Sequence, residues 1–150
     1  MKFNKSIKNF CQLILLLLIS VPAFSQENPP TINEHWLRAA PPNAMMQAAY
    51  GEISNKTGKD IKLIDAYSPA FNMTEIHKTI ITDGVARMKH QPELKIKNNE
   101  TLKFAPGGLH IMLMHPIIDF TIGDSIKINL IYLIDGERVV DEIWFPVIKK

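Results

Sequence analysis

The sequence predicts an all-β sandwich or barrel. Three observations lead there. Short apolar stretches recur along the chain, turn-forming residues break them at regular intervals, and no window sustains a helical period over three turns. The strand candidates, in order, are Trp36 to Ala40, Met46 to Ile53, Ile61 to Tyr67, Met73 to Ile81, Val85 to His90, Glu100 to Phe104, Gly108 to His115, Ser125 to Ile134 and Glu137 to Val147. Between them sit Asn55-Lys56-Thr57-Gly58, Ser68-Pro69, Asp83-Gly84, Asn98-Asn99, Pro106-Gly107-Gly108, Gly123-Asp124 and Asp135-Gly136. Asp-Gly accepts the two positive φ angles of a type I′ turn, so Asp83-Gly84 and Asp135-Gly136 each predict a hairpin.

The start of the chain reads differently. Lys2, Lys5 and Lys8 precede an unbroken apolar run from Leu13 to Ile19, and Ala23-Phe24-Ser25 ends the stretch with small residues at cleavage spacing. That order predicts a signal peptide over residues 1–25. The apolar run is shorter than the roughly 20 residues of a spanning helix, and Cys11 lies ahead of it, badly placed for lipid attachment. A linker is expected over 26–35, with Pro29-Pro30 in it, and one β domain over 36–150.

Export alters the charge and thiol inventory. The chain has 17 basic and 15 acidic residues; removing the leader's three lysines leaves 14 against 15, a net −1. No basic stripe interleaved with aromatics suggests nucleic acid, and no polybasic helix suggests a membrane surface once the leader is gone. Cys11 is the only cysteine. The mature domain therefore has no disulfide, no thiol nucleophile and no thiolate ligand. A domain of this size buries about two-thirds of its unfolded surface and needs no staple.

Histidine and methionine carry the chemistry. On a strand, alternate residues share a face, so His110, Met112 and Met114 point one way while Ile111 and Leu113 suit a core. If Asp83-Gly84 is a two-residue loop, His77 lies opposite His90 and Met88 is a diagonal neighbour on the same face. A four-residue loop would put Met88 directly across from His77, again on one face, and only an odd loop would turn them to opposite faces. Thioether sulfur is soft and neutral. With imidazole it favours Cu(I) over Zn(II), Ca(II) or Mg(II), which prefer harder or anionic donors. Each residue alone reads more simply as core filler or a hydrogen-bonding side chain.

The spacing His77-x10-Met88-x21-His110-x-Met112 resembles the copper-site motif of the PCuAC family, periplasmic copper(I) chaperones. The flanks are similar too: Glu75-Ile76-His77, Asp83-Gly84-Val85, Arg87-Met88, Pro106-Gly107-Gly108-Leu109 and Gly123-Asp124. The likeness runs from about Trp36 to Val147. It implies a cupredoxin-like Greek-key β-sandwich, His77, Met88, His110 and Met112 as the metal ligands, and a periplasmic metallochaperone. That role would be to deliver Cu(I) to an acceptor such as an oxidase subunit or a Sco-type protein during cytochrome oxidase assembly. The His/Met-rich tail of some members is not seen before Lys150, which argues against a second metal site, and against a Cu(II) site above all.

His90 and Met114 stand in reserve as ligands, and Glu75 is placed to accept a hydrogen bond from His77. The tripeptides beginning at Asn55, Asn72 and Asn99 match the glycosylation pattern but carry little weight in a bacterial chain, which is what the resemblance implies. Competing functions are copper storage or tolerance with the same ligands, and a metal-free β interaction module. Blue-copper electron transfer needs a cysteine ligand and fails on composition. No hydrolase motif appears, and no enzyme activity is expected.

Overall fold

A computed structural model describes residues 29–150; the expected signal peptide lies outside them. Among the described residues there are ten strands and no helix. They are β1 (Thr31–Arg38), β2 (Met46–Ser54), β3 (Ile61–Tyr67), β4 (Phe71–Thr82), β5 (Val85–His90), β6 (Leu94–Ile96), β7 (Thr101–Phe104), β8 (Leu109–Pro116), β9 (Ser125–Ile134) and β10 (Glu137–Ile148). Hydrogen bonding follows the order β5-β4-β8-β7-β2-β1-β10-β9-β3-β6, with β8 also paired to β2. Most pairs are antiparallel. The parallel pairs β1–β10 and β7–β8 are short, and β1–β10 joins the two halves through Leu37↔Val147 and Arg38↔Ile148. The all-β class is as expected.

Alternation sets the core. Ile76, Ile111 and Leu113 from one half and Leu63, Ile128, Leu130 and Tyr132 from the other belong to a single buried apolar cluster. At about 25 cal/mol per Å² of apolar area, burying each such side chain contributes roughly 1.5–3 kcal/mol. Both Asp-Gly turns form as two-residue loops. Thr82 pairs with Val85 and Ile134 with Glu137, with positive φ at Asp83, Gly84, Asp135 and Gly136. Gly51 meets a different need. A Cβ there would lie 3.0 Å from His35 Cβ, so only glycine lets β1 close onto β2.

Two features depart from the sequence reading. Residues 31–35, expected as linker, form the first half of β1, where Ile32 pairs with Ile53 ahead of a bulge between Asn33 and Trp36. β6 was not anticipated: three residues are too few to show alternation, and pairing with β3 alone defines the strand. Asn55, which matches a glycosylation pattern, is fully buried. Its Nδ2 donates to the carbonyls of Lys59, Ile96 and Lys97, which ties β6 to the loop before β3.

Candidate metal centre

Of the two even-loop registers open to the β4–β5 hairpin, the two-residue one is observed. His77 pairs with His90, and Thr79 pairs with Met88, so Met88 is the diagonal neighbour of His77. On the other side of β4, His77 pairs with His110 and Glu75 with Met112. Directly paired residues point to the same face of a sheet. His90, His77 and His110 thus form one row across three strands, on the face opposite Ile76 and Ile111. The His77 and His110 ring centroids are 5.9 Å apart, as are those of His77 and His90.

Each of the two central imidazoles has one nitrogen tethered and one free. His77 Nε2 donates to Glu75 Oε2 at 2.7 Å. A carboxylate only accepts, so Nε2 carries the donated proton, and in the neutral ring Nδ1 holds the lone pair. His110 Nδ1 donates to the Gly108 carbonyl at 3.1 Å, which leaves Nε2 with the lone pair. His77 Nδ1 and His110 Nε2 are both buried and have no hydrogen-bond partner. An unsatisfied buried acceptor costs about 1–3 kcal/mol, so two of them 5.9 Å apart at the ring centres are an arrangement a cation would relieve. Burial holds the His110 pKa below the ordinary histidine value; the Gly108 carbonyl works against this and neighbouring His77 adds to it. The ring is therefore neutral at physiological pH, the form a metal requires.

Gly108 has a second task. Its carbonyl also accepts the Thr79 amide at 3.0 Å, so the turn that orients His110 is bonded to the hairpin that carries His77 and Met88. The Gly107 φ of +80° permits this turn. Sequence reading placed Glu75 beside His77 and found no role for Gly108, because a carbonyl acceptor has no residue signature.

The four predicted residues do not sit equivalently. His110 and Met112 are 3% and 8% exposed, more enclosed than a solvent-facing ligand row predicts. The reason is position: β8 is an interior strand flanked by β4 and β2, whose side chains shade its outward face. Neither residue belongs to the apolar core cluster. Met88 is 58% exposed on edge strand β5, where every residue is exposed. Met88 and Met112 lie on opposite diagonals from His77. With strands about 4.8 Å apart and a rise of about 3.4 Å per residue, a flat ladder would separate their Cα atoms by roughly 16 Å. The structure thus brings His77, His110 and Met112 to adjoining positions and leaves Met88 toward the hairpin tip; His90 is nearer to His77 than Met88 is. Among the described residues no group of three or more His, Cys, Asp or Glu side chains is placed to hold a metal ion.

Comparison with known proteins places the chain among relatives of the same fold. The family model "Putative lipoprotein LpqE-like" matches residues 31–140. "Putative lipoprotein Lxx21020" of Leifsonia xyli subsp. xyli is 30% identical over 100 residues, which is 66% of this chain and 59% of that protein. "Uncharacterized protein RP573" of Rickettsia prowazekii is 32% identical over 95 residues, 63% of this chain and 52% of that protein. The chain thus spans between half and three-fifths of the length of these relatives. Among solved structures, the solution structure of CuI-DR1885 from Deinococcus radiodurans has a TM-score of 0.63 at 31% identity, covering 85% of this chain and 83% of that one. The copper-bound PCuAC domain from PmoF2 has the same TM-score at 19% identity, over 79% of this chain and 92% of that one, and speaks to the fold.

Proposed function

We propose, from the premise that this chain belongs to the LpqE-like family, a PCuAC-related family, that it binds one Cu(I) ion through His77, His110, Met112 and Met88 and passes it to an acceptor. The observation that carries the proposal is the pair of buried, unpartnered nitrogens, His77 Nδ1 and His110 Nε2, on neighbouring strands. Copper in the related CuI-DR1885 supports the choice of metal. So does the donor chemistry: neutral imidazole and thioether suit a soft monovalent ion.

In this reading copper is the cargo. His77, His110 and Met112 form the standing part of the site, their rings held by Glu75 and Gly108. Met88 joins when the edge hairpin curls over the histidine row. β5 is exposed along its length and bonded only to β4, so few contacts hold it against such a movement. The same exposure lets an acceptor's ligands displace Met88 first, which makes the site suited to transfer. Export to the periplasm, an acceptor such as an oxidase subunit or a Sco-type protein, and a place in cytochrome oxidase assembly extend the proposal. The lipoprotein names of the relatives support an envelope location.

X-ray absorption on protein loaded with one equivalent of Cu(I) tests the reading. It should show a mixed nitrogen and sulfur shell, and the combined His77→Ala and His110→Ala variant should lose the nitrogen neighbours while staying folded. A shell unchanged in that variant, or a one-to-one preference for Zn(II) over Cu(I), would refute it. Comparing His90→Ala with Met88→Leu then separates the fourth ligand: only Met88→Leu should remove a sulfur neighbour.

A further inference from the structure

The ligand face of β8 continues past Met112 to Met114, and what flanks Met114 is also methionine. Met114 pairs with Met46 of β2 on one side and with Met73 of β4 on the other. Three thioether side chains therefore stand in one unbroken row across three adjoining strands. They share the face that carries the histidine row, four residues further along β8 and two beyond Met112. Met46 and Met73 are 60% and 47% exposed, and Met114 is partly buried between them.

An outward sheet row is ordinarily given to polar or β-branched side chains. Three large thioethers there are neither core filler nor a solubilising surface. Directly paired residues hold their Cβ atoms about 4.5–5.5 Å apart, and methionine is unbranched with three rotatable bonds. The outer two can lean over the middle one and present three sulfurs to a single point. The row is pinned where it matters: the His115 amide donates to the Met45 carbonyl at 2.8 Å, next to Met46 and Met114.

We infer that Met46, Met73 and Met114 form a second, all-thioether site for Cu(I), separate from the histidine site and adjoining it through Met112. Three neutral sulfurs and no imidazole make it selective for a soft monovalent ion and weaker than the first site. It is placed as an entry or exit station, with ions moving along β8 between the two. The existence of the site rests only on the methionine row; its role as a station rests on the function proposed above.

The test uses purified protein labelled with 13C at the methionine ε-methyl groups and titrated anaerobically with Cu(I). In the His77→Ala/His110→Ala background, the Met46, Met73 and Met114 methyl signals should shift together and saturate at one equivalent. Adding Met46→Leu, Met73→Leu and Met114→Leu, which keeps the apolar area, should weaken that binding at least tenfold. In the otherwise unaltered chain, the same three leucines should reduce the copper taken up from two ions to one. Methyl shifts confined to Met88 and Met112, or two ions still bound by the triple leucine variant, would overturn the inference. The histidine site is deleted in the first arm, so its failure cannot imitate failure of the methionine row. A failed histidine reading would instead appear as an unchanged tightest binding step on going to the His77→Ala/His110→Ala protein.

Discussion

Replacing Glu75 separates a metal-positioning role from a structural one. Its carboxylate accepts from His77 Nε2 at 2.7 Å, and the two side chains are 35% and 14% exposed. A pair this open to water contributes about 0–1 kcal/mol to folding. Its effect on metal binding should be larger, because it decides which His77 nitrogen is free. Loss of a partner that orients a metal-ligating histidine typically lowers affinity 10- to 100-fold, or about 1.4–2.8 kcal/mol at 1.4 kcal/mol per decade. Glu75→Gln retains an acceptor oxygen and should fall at the lower end. Glu75→Leu removes it and should fall at the upper end. Competition against a chromophoric Cu(I) chelator measures the affinity, and thermal unfolding of the metal-free protein measures stability. Unchanged affinity in Glu75→Leu would refute the reasoning, as would a stability loss large enough to account for the change in binding.

Met112→Leu, a volume-conserving change at a buried position, should cost under about 1.5 kcal/mol, and Met88→Leu, at an exposed one, should stay within about 0.5 kcal/mol. Each should remove one sulfur neighbour from the Cu(I) absorption spectrum, and an unaltered sulfur count would exclude that residue as a ligand. Gly84→Ala meets no atom within 4 Å of its Cβ, so its cost is the backbone strain of a φ of +76° alone, about 1–2 kcal/mol. Faster amide exchange in β5 with β8 unchanged is the expected signature, and equal exchange in both would show the turn to be unstrained. Asp141 has its carboxyl pKa raised by burial, with His35 partly opposing. Its ionisation is therefore easier in the unfolded chain, and the native state loses stability as pH rises through the carboxylate range. Asp141→Asn should raise the melting temperature at neutral pH, with the gain disappearing near about pH 3. A gain of equal size in acid would exclude ionisation as the cause.

Local chemistry was enough to read much of this protein from its sequence. Period-two patterning and turn punctuation show strands such as Ile61–Tyr67 and Ser125–Ile134 to the residue, and Asp-Gly between two such runs tolerates the positive φ angles of a tight hairpin turn. The pairing of His77 with His90 follows from that turn, because a two-residue loop sets the register of everything beyond it. The residue types at 77, 88, 110 and 112 name a soft metal without any coordinates. What the sequence could not supply depends on strands far apart in the chain lying side by side. That β4 borders β8, so that His77 faces His110, is decided by sheet topology. So are the burial of His110 and Met112 on an interior strand, the exposure of Met88 on an edge strand, and the alignment of Met46, Met114 and Met73. Pairing between distant segments is set by which faces bury together and where the ladders end, a property of the whole chain that no local window carries.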